Sequence, residues 1–204
     1  MRISVRNLVE FILRSGDLDN SRGSSGDKEA MLKGGRLHRK IQRSMKGNYQ
    51  AEVSLKRESE YEDVIIQVEG RADGIFTEDG EFWIDEIKGT YGNLQAMEVP
   101  VPVHRAQAMC YGWIYGEKEG LSQIGIQMTY SHLDTEDTRG SRIFSMEELK
   151  NWYQKLLDDY HKWISCSLSW KKRTECIHER SAVSVSLQRR AERDRQWCIS
   201  YGFQ

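Results

Sequence analysis

Apolar positions recur at helical spacing over residues 4–14, where Val5, Leu8, Val9, Ile12 and Leu13 share one face and Ser4 stands where an N-cap belongs. The stretch 16–27, rich in Gly, Ser, Asp and Asn, has no apolar period and predicts a surface loop. Helical character resumes over 28–46. It is crossed by Gly34-Gly35, a pair that costs about 1 kcal/mol per glycine and predicts close backbone packing or a kink. Three strand-like runs follow, Tyr49–Leu55, Val64–Phe76 and Glu81–Lys88, the last two joined through the hairpin signal Asp79-Gly80. They predict an antiparallel meander. After Pro100 and Pro102 the pattern predicts a helix over 103–117 and a strand over 124–130. Residues 134–141 read as a polar connection, and Ser145 with Glu148 matches a capping box that opens a helix running to Ile164.

The 204 residues, 38% apolar and 30% charged, suit one soluble globular domain whose core needs neither disulfides nor a structural metal. No apolar run approaches the roughly 18–20 residues of a spanning helix, and the N-terminal residues lack a signal peptide's apolar core, so a cytoplasmic protein with no membrane partner is expected. Thirty basic against 31 acidic residues leave no whole-molecule field toward nucleic acid or anionic lipid; any such binding must be local. Cys110, Cys166, Cys176 and Cys198 match no zinc or redox spacing and are expected to be reduced thiols. Residues 171–195 carry eight Lys or Arg against four Asp or Glu without an amphipathic period, so 1–170 is expected to form the domain and 171–204 a peripheral basic tail. No phosphate-binding glycine loop is present, which excludes a self-contained nucleotide-driven motor of the usual kind.

Chemistry concentrates in Gly70-Arg71-Ala72-Asp73-Gly74 at the end of one strand and Asp85-Glu86-Ile87-Lys88 within the next. Strand alternation puts Glu86 with Lys88 on one face and Asp85 with Ile87 on the other, and hairpin pairing can bring Asp73 beside Glu86. Two carboxylates about 4 Å apart repel by about 4 kcal/mol at an effective dielectric of about 20. A divalent cation relieves that repulsion, and hard oxygen ligands suit magnesium or manganese, which acidify bound water and clamp a phosphate oxygen. Lys88 beside such an ion can hold or deprotonate the attacking water. An isolated Glu-x-Lys is far more often a solvated ion pair on a hairpin; the arrangement around this one is what distinguishes it.

That arrangement resembles the PD-(D/E)xK nuclease superfamily, in particular its RecB-like branch. Gly35-Arg36-Leu37-His38 is similar to the branch's upstream helix motif, Gln107-Ala108-Met109-Cys110-Tyr111 to its downstream Gln-x-x-x-Tyr motif, and Glu52 to a frequent acidic position in the first strand. Segment 123–163 resembles the nuclease domain at the N-terminus of some Rad3-type helicases. The resemblance implies an α/β restriction-endonuclease-like core, a central mixed sheet flanked by helices. It implies His38, Asp73, Glu86 and the carbonyl of Ile87 as metal ligands, and Asp73, Glu86 and Lys88 as the catalytic set. Gln107 and Tyr111 would bind or orient the substrate, and Glu52 would support the site from behind. The implied activity is magnesium- or manganese-dependent hydrolysis of DNA, exonucleolytic and tied to repair or recombination, with a helicase in cis or in trans as a partner. No iron-sulfur cluster is expected, because the upstream cysteine and the C-terminal cysteine triplet are missing. The alternative is a catalytically weak or inactive nuclease-fold module that binds DNA or a helicase partner; intact Asp73, Glu86 and Lys88 argue against it. His104, His132, His161 and His178 form no paired ligand motif and are expected to be structural or exposed.

Overall fold

The computed structural model describes residues 1–13, 28–45, 47–90, 100–132 and 137–170; the expected loop over 16–27 falls outside them, apart from which the tail over 171–204 does too. Two compact units are present, Met1–Asp159 and Tyr160–Gln204. In order, the first contains β1 (Arg2–Ser4), α1 (Val5–Leu13), α2 (Lys28–Ser44), β2 (Gln50–Glu60), β3 (Ile65–Glu78), β4 (Glu81–Thr90), α3 (Pro102–Glu119), β5 (Gln123–His132) and β6 (Asp137–Ser145). A further helix, α4, occupies 146–159, and the described part of the second unit, 160–170, is also helical. No described helix is long and apolar enough to cross a membrane.

Local chemistry accounts for the helix limits. Ser4 caps α1, its Oγ accepting from the Asn7 N–H at 3.1 Å, and Val5, Leu8 and Val9 are buried as the periodicity requires. Ser145 caps α4 in the same way by accepting from the Glu148 N–H at 3.1 Å, but the Glu148 carboxylate turns to Arg142 instead of closing the capping box. Helix α3 starts on Pro102 and stops at Gly120, whose φ of 67° is left-handed; from Ala106 to Ile114 every residue is buried, which makes α3 the central helix. Gly34-Gly35 neither ends α2 nor serves close packing, since nothing lies within 4 Å of a Cβ built on Gly34.

The six strands form one mixed sheet, the α/β architecture of helices on a central sheet expected of a restriction-endonuclease-like core. β2, β3 and β4 make the antiparallel meander, β5 returns parallel to β4 after α3, and β6 adds an antiparallel edge. β6 corrects the expected polar connection over 137–141; residues 134–136 lie outside the described residues. Its residues are polar because an edge strand is held by backbone pairing and needs little apolar burial. β1, parallel to β3, spans three residues and is too short to show a period.

The decisive feature is how β3 shares its edges. β2 covers one edge from Ile65 to Ile75, so β1 and β4 must occupy the other in succession: β1 at Gln67–Glu69, β4 from Gly74 onward. Between them, residues 70–73 have no strand partner on that edge among the described residues. β4 parts from β3 after Gly74↔Asp85 yet stays on β5 as far as Thr90↔His132. A fork opens, with Gly70–Asp73 on one prong and Glu86–Lys88 on the other.

Tyr49 packs over the base of the fork, its hydroxyl donating to Asp85 Oδ2 at 3.1 Å. A Cβ on Gly74 would lie 1.9 Å from that hydroxyl oxygen, so only glycine admits the ring. Gly74→Ala is expected to destabilise the fold by about 2–4 kcal/mol, through overpacking and loss of a bond to a buried carboxylate. Urea unfolding measures it, and a wild-type midpoint would contradict this packing.

Candidate functional site

Where β4 leaves β3, backbone groups that a ladder would have paired need other partners. The Ile87 N–H donates to Asp73 Oδ2 at 2.8 Å, so the Asp73 carboxylate bridges the fork. On the other prong the Arg71 N–H donates to the Tyr111 hydroxyl, and Tyr111 lies so close that a Cβ on Gly70 would meet its oxygen at 2.6 Å. The Asp73 carbonyl accepts from Gln42 Nε2 at 2.9 Å. From α2, which packs Leu37 and Ile41 on Ile87, His38 Nδ1 reaches to 3.4 Å from Asp73 Oδ1.

Glu52 stands on β2 between the pairs Ala51↔Gly74 and Val53↔Ala72, opposite Asp73, and its φ of 59° is left-handed. That conformation costs a side-chain-bearing residue of order 1–3 kcal/mol. Its carboxylate accepts from Gln42 at 3.1 Å and pairs with Arg71 Nε at 2.5 Å. Glu52 is exposed and braces both neighbours of Asp73 from outside the fork.

On the second prong, Glu86 is 4% exposed. Its Oε1 pairs with Lys88 Nζ at 2.7 Å, while Oε2 is buried with no hydrogen-bond partner. Burial pushes the Glu86 carboxyl up to about 7; the Asp73 charge adds to the rise and Lys88 opposes it. Lys88 Nζ also donates to Gln107 Oε1 at 2.8 Å. The bond to Asp73 raises the His38 pKa against the effect of burial. On the opposite face of β4, Asp85 is fully buried and accepts from Tyr49, Gln127 and Thr129, tying the strand to β5.

The structure thus brings His38, Asp73, Glu86, Ile87, Lys88 and Gln107 to one fork. Gln107 and Tyr111, one turn apart on α3, hold one prong each: Gln107 the Lys88 ammonium, Tyr111 the Arg71 amide. Both are buried. Gln42 was missed by the sequence reading although it stands four residues after His38, on the same helix face. Tyr49 and Tyr130 carried no signal of their own.

Among the described residues no group of three His, Cys, Asp or Glu side chains is arranged to hold a metal ion. The reason is visible in the bonding: Lys88 holds Glu86 Oε1, and Ile87 and His38 hold the two Asp73 oxygens. The donor chemistry nevertheless fits a divalent cation. Two carboxylates and an imidazole meet at the fork, and Glu86 Oε2 is a buried acceptor without a donor.

No protein-family model matches this chain, and no curated protein matches it. It is similar to the solved crystal structure of SSO0001, with 20% sequence identity over 76% of this chain and 75% of that one and a TM-score of 0.48.

Glu86 and His38 give stability a pH slope of the same sign, opposed between about 4 and 6.5 by His104, whose pKa burial lowers to about 4. Folded Glu86 keeps its proton to about 7, against 4.5 for an ordinary glutamate, so the folded state binds more protons than the unfolded one between those values and stability falls as pH rises through them. His38, with its pKa raised, contributes stability that is full below its ordinary 6.5 and lost as pH rises through the folded value. Glu86→Gln is expected to remove most of the first loss, about 3 kcal/mol in order of magnitude. Denaturant unfolding at several pH values checks it; an unchanged slope would contradict the assignment to Glu86.

Proposed function

We propose that this chain is a metal-dependent nuclease that hydrolyses phosphodiester bonds in DNA. The observation that carries the reading is Glu86 Oε2: a buried carboxylate oxygen without a donor, beside Asp73 and Lys88 in the fork of the sheet. A lone buried acceptor is costly unless something positive satisfies it. Asp73, Glu86, the Ile87 carbonyl and His38 are the groups that would hold magnesium or manganese. The bound ion would supply an acidified water and a clamp for the phosphate oxygen.

This chain's own residues do the rest. Lys88, held by Gln107, orients the attacking water by donating to it from its ammonium, and the water's proton passes to solvent. As the water oxygen bonds to phosphorus, the bond to the leaving oxygen breaks and that oxygen takes a proton from solvent water. Asp73 keeps β4 at its distance from β3 through the Ile87 amide, which preserves the opening a phosphate needs. Attack from a DNA end, in repair or recombination and with a helicase feeding the strand, is the form of this activity that the RecB-like motifs support.

A second reading has an observation in its favour. The side chains of the fork are bonded to one another, with Lys88 on Glu86, so the chain would serve as a nuclease-fold module that binds DNA or a helicase without cleaving. End-labelled linear and circular DNA, single- and double-stranded, incubated with manganese separates the two. Lys88→Ala is expected to lower cleavage by about a hundredfold or more while manganese affinity stays near wild type. Glu86→Ala is expected to lose metal and cleavage together. Wild-type protein that binds DNA and cleaves none of these forms would leave the module standing.

A further inference from the structure

The first turn of α3 has no side-chain cap of its own, since Val101 makes none and Pro102 follows it. Its anchor comes from β5. The Tyr130 hydroxyl accepts from the Val101 N–H at 3.0 Å and lies 3.2 Å from His104 Nδ1, with the two rings 5.9 Å apart. In the His104 tautomer with its proton on Nε2, the phenol donates to Nδ1 while accepting from Val101. Tyr130 stands directly opposite Lys88 in the β4–β5 register. One turn beyond His104, Gln107 takes the bond from Lys88 Nζ at 2.8 Å. Two successive turns of α3 are therefore tied to the same rung of the sheet, one through β5 and one through β4.

We propose that His104 and Tyr130 form a clamp that positions Lys88, by fixing the first turn of α3 so that Gln107 Oε1 stays within reach of the ammonium. His104 is a positioning residue here and touches no reacting atom. Its neutrality suits the role. Burial pushes its pKa down to about 4, with Lys88 and Arg6 adding to the fall and Glu10 opposing it, so the ring is neutral and no second cation faces Lys88. Without the clamp, the first turn of α3, ahead of the buried run that starts at Ala106, would lose its hydrogen bond to β5. The consequence for catalysis rests on the nuclease reading; the clamp itself is a property of the apo chain.

The test uses the full chain with isotope-labelled lysine and reads the slowly exchanging Lys88 ammonium by NMR, with the Trp113 indole toward the other end of α3 as a remote control. His104→Ala and Tyr130→Phe are each expected to shift or abolish the Lys88 signal and leave the Trp113 signal in place. His104→Asn, whose Oδ1 can replace Nδ1 as acceptor, is expected to restore it. A Lys88 signal unmoved in both variants would overturn the clamp, as would Lys88 and Trp113 signals that move together, which would mean a general loosening of α3. In the same samples the clamp variants are expected to lose about a hundredfold in kcat with KM kept. Wild-type protein without cleavage, alongside displaced Lys88 signals in the variants, would overturn the nuclease reading and leave the clamp intact.

Discussion

Everything at the candidate site follows from the parting of β4 from β3. A ladder that ran on past Gly74↔Asp85 would have paired the Asp73 and Glu86 backbones and left no opening between them. The parting is held in place by substitutes for the lost ladder bonds, each from a different element: the Asp73 carboxylate for the Ile87 amide, Tyr111 for the Arg71 amide, and Gln42 for the Asp73 carbonyl. Because β3 gives its free edge first to β1 and then to β4, the gap sits where the two partners change over. It is a topological feature and not a loop, which gives the side chains around it a rigid frame.

Energetically the fork is expensive and its cost is local. Glu86 is desolvated beside another carboxylate, and a single lysine answers it; the desolvation of such a pair is rarely repaid in full by its attraction. Replacing the pair by apolar residues of the same volume would serve stability as well or better. Glu52 adds left-handed backbone at the point opposite Asp73. Strain, burial of charge and an acceptor without a donor all fall within a few residues of one another; the other buried polar atoms without a partner among the described residues, on Trp83, Trp113 and Tyr153, are on neutral side chains. That concentration of strain and perturbed groups is what the proposed function rests on.

Much of this was legible in the sequence, and the boundary of legibility has physical causes. The helical period of α1, the cap at Ser145, the Asp79-Gly80 turn and the prolines ahead of α3 are local signals, and from them α1, α4, the β3–β4 hairpin and the crossover helix were legible. β6 and β1 escaped because backbone pairing at an edge leaves no apolar pattern, and because three residues cannot display a period. At the site, strand alternation separated Glu86 and Lys88 from Asp85 correctly, and the motif spacing brought His38 and Gln107 to them. The sequence could not show that Tyr111 is spent on a backbone amide, that Glu52 acts from outside the fork, or that Tyr130 and His104 meet across two elements. Those contacts depend on where α3 lies on the sheet, and no spacing along the chain encodes that.

The central claim is that Glu86 is a buried carboxylate awaiting a cation. Calorimetric titration with manganese at about pH 6, repeated in buffers of different ionisation enthalpy, counts the protons that leave when the ion binds. With its carboxyl pushed up to about 7, Glu86 is largely protonated at that pH and must release its proton to become a ligand. The account predicts release of at least about half a proton per ion, falling toward zero at about pH 8.5, and loss of binding in Glu86→Gln. Binding whose heat is the same in every buffer at pH 6, or that survives Glu86→Gln unchanged, would contradict it.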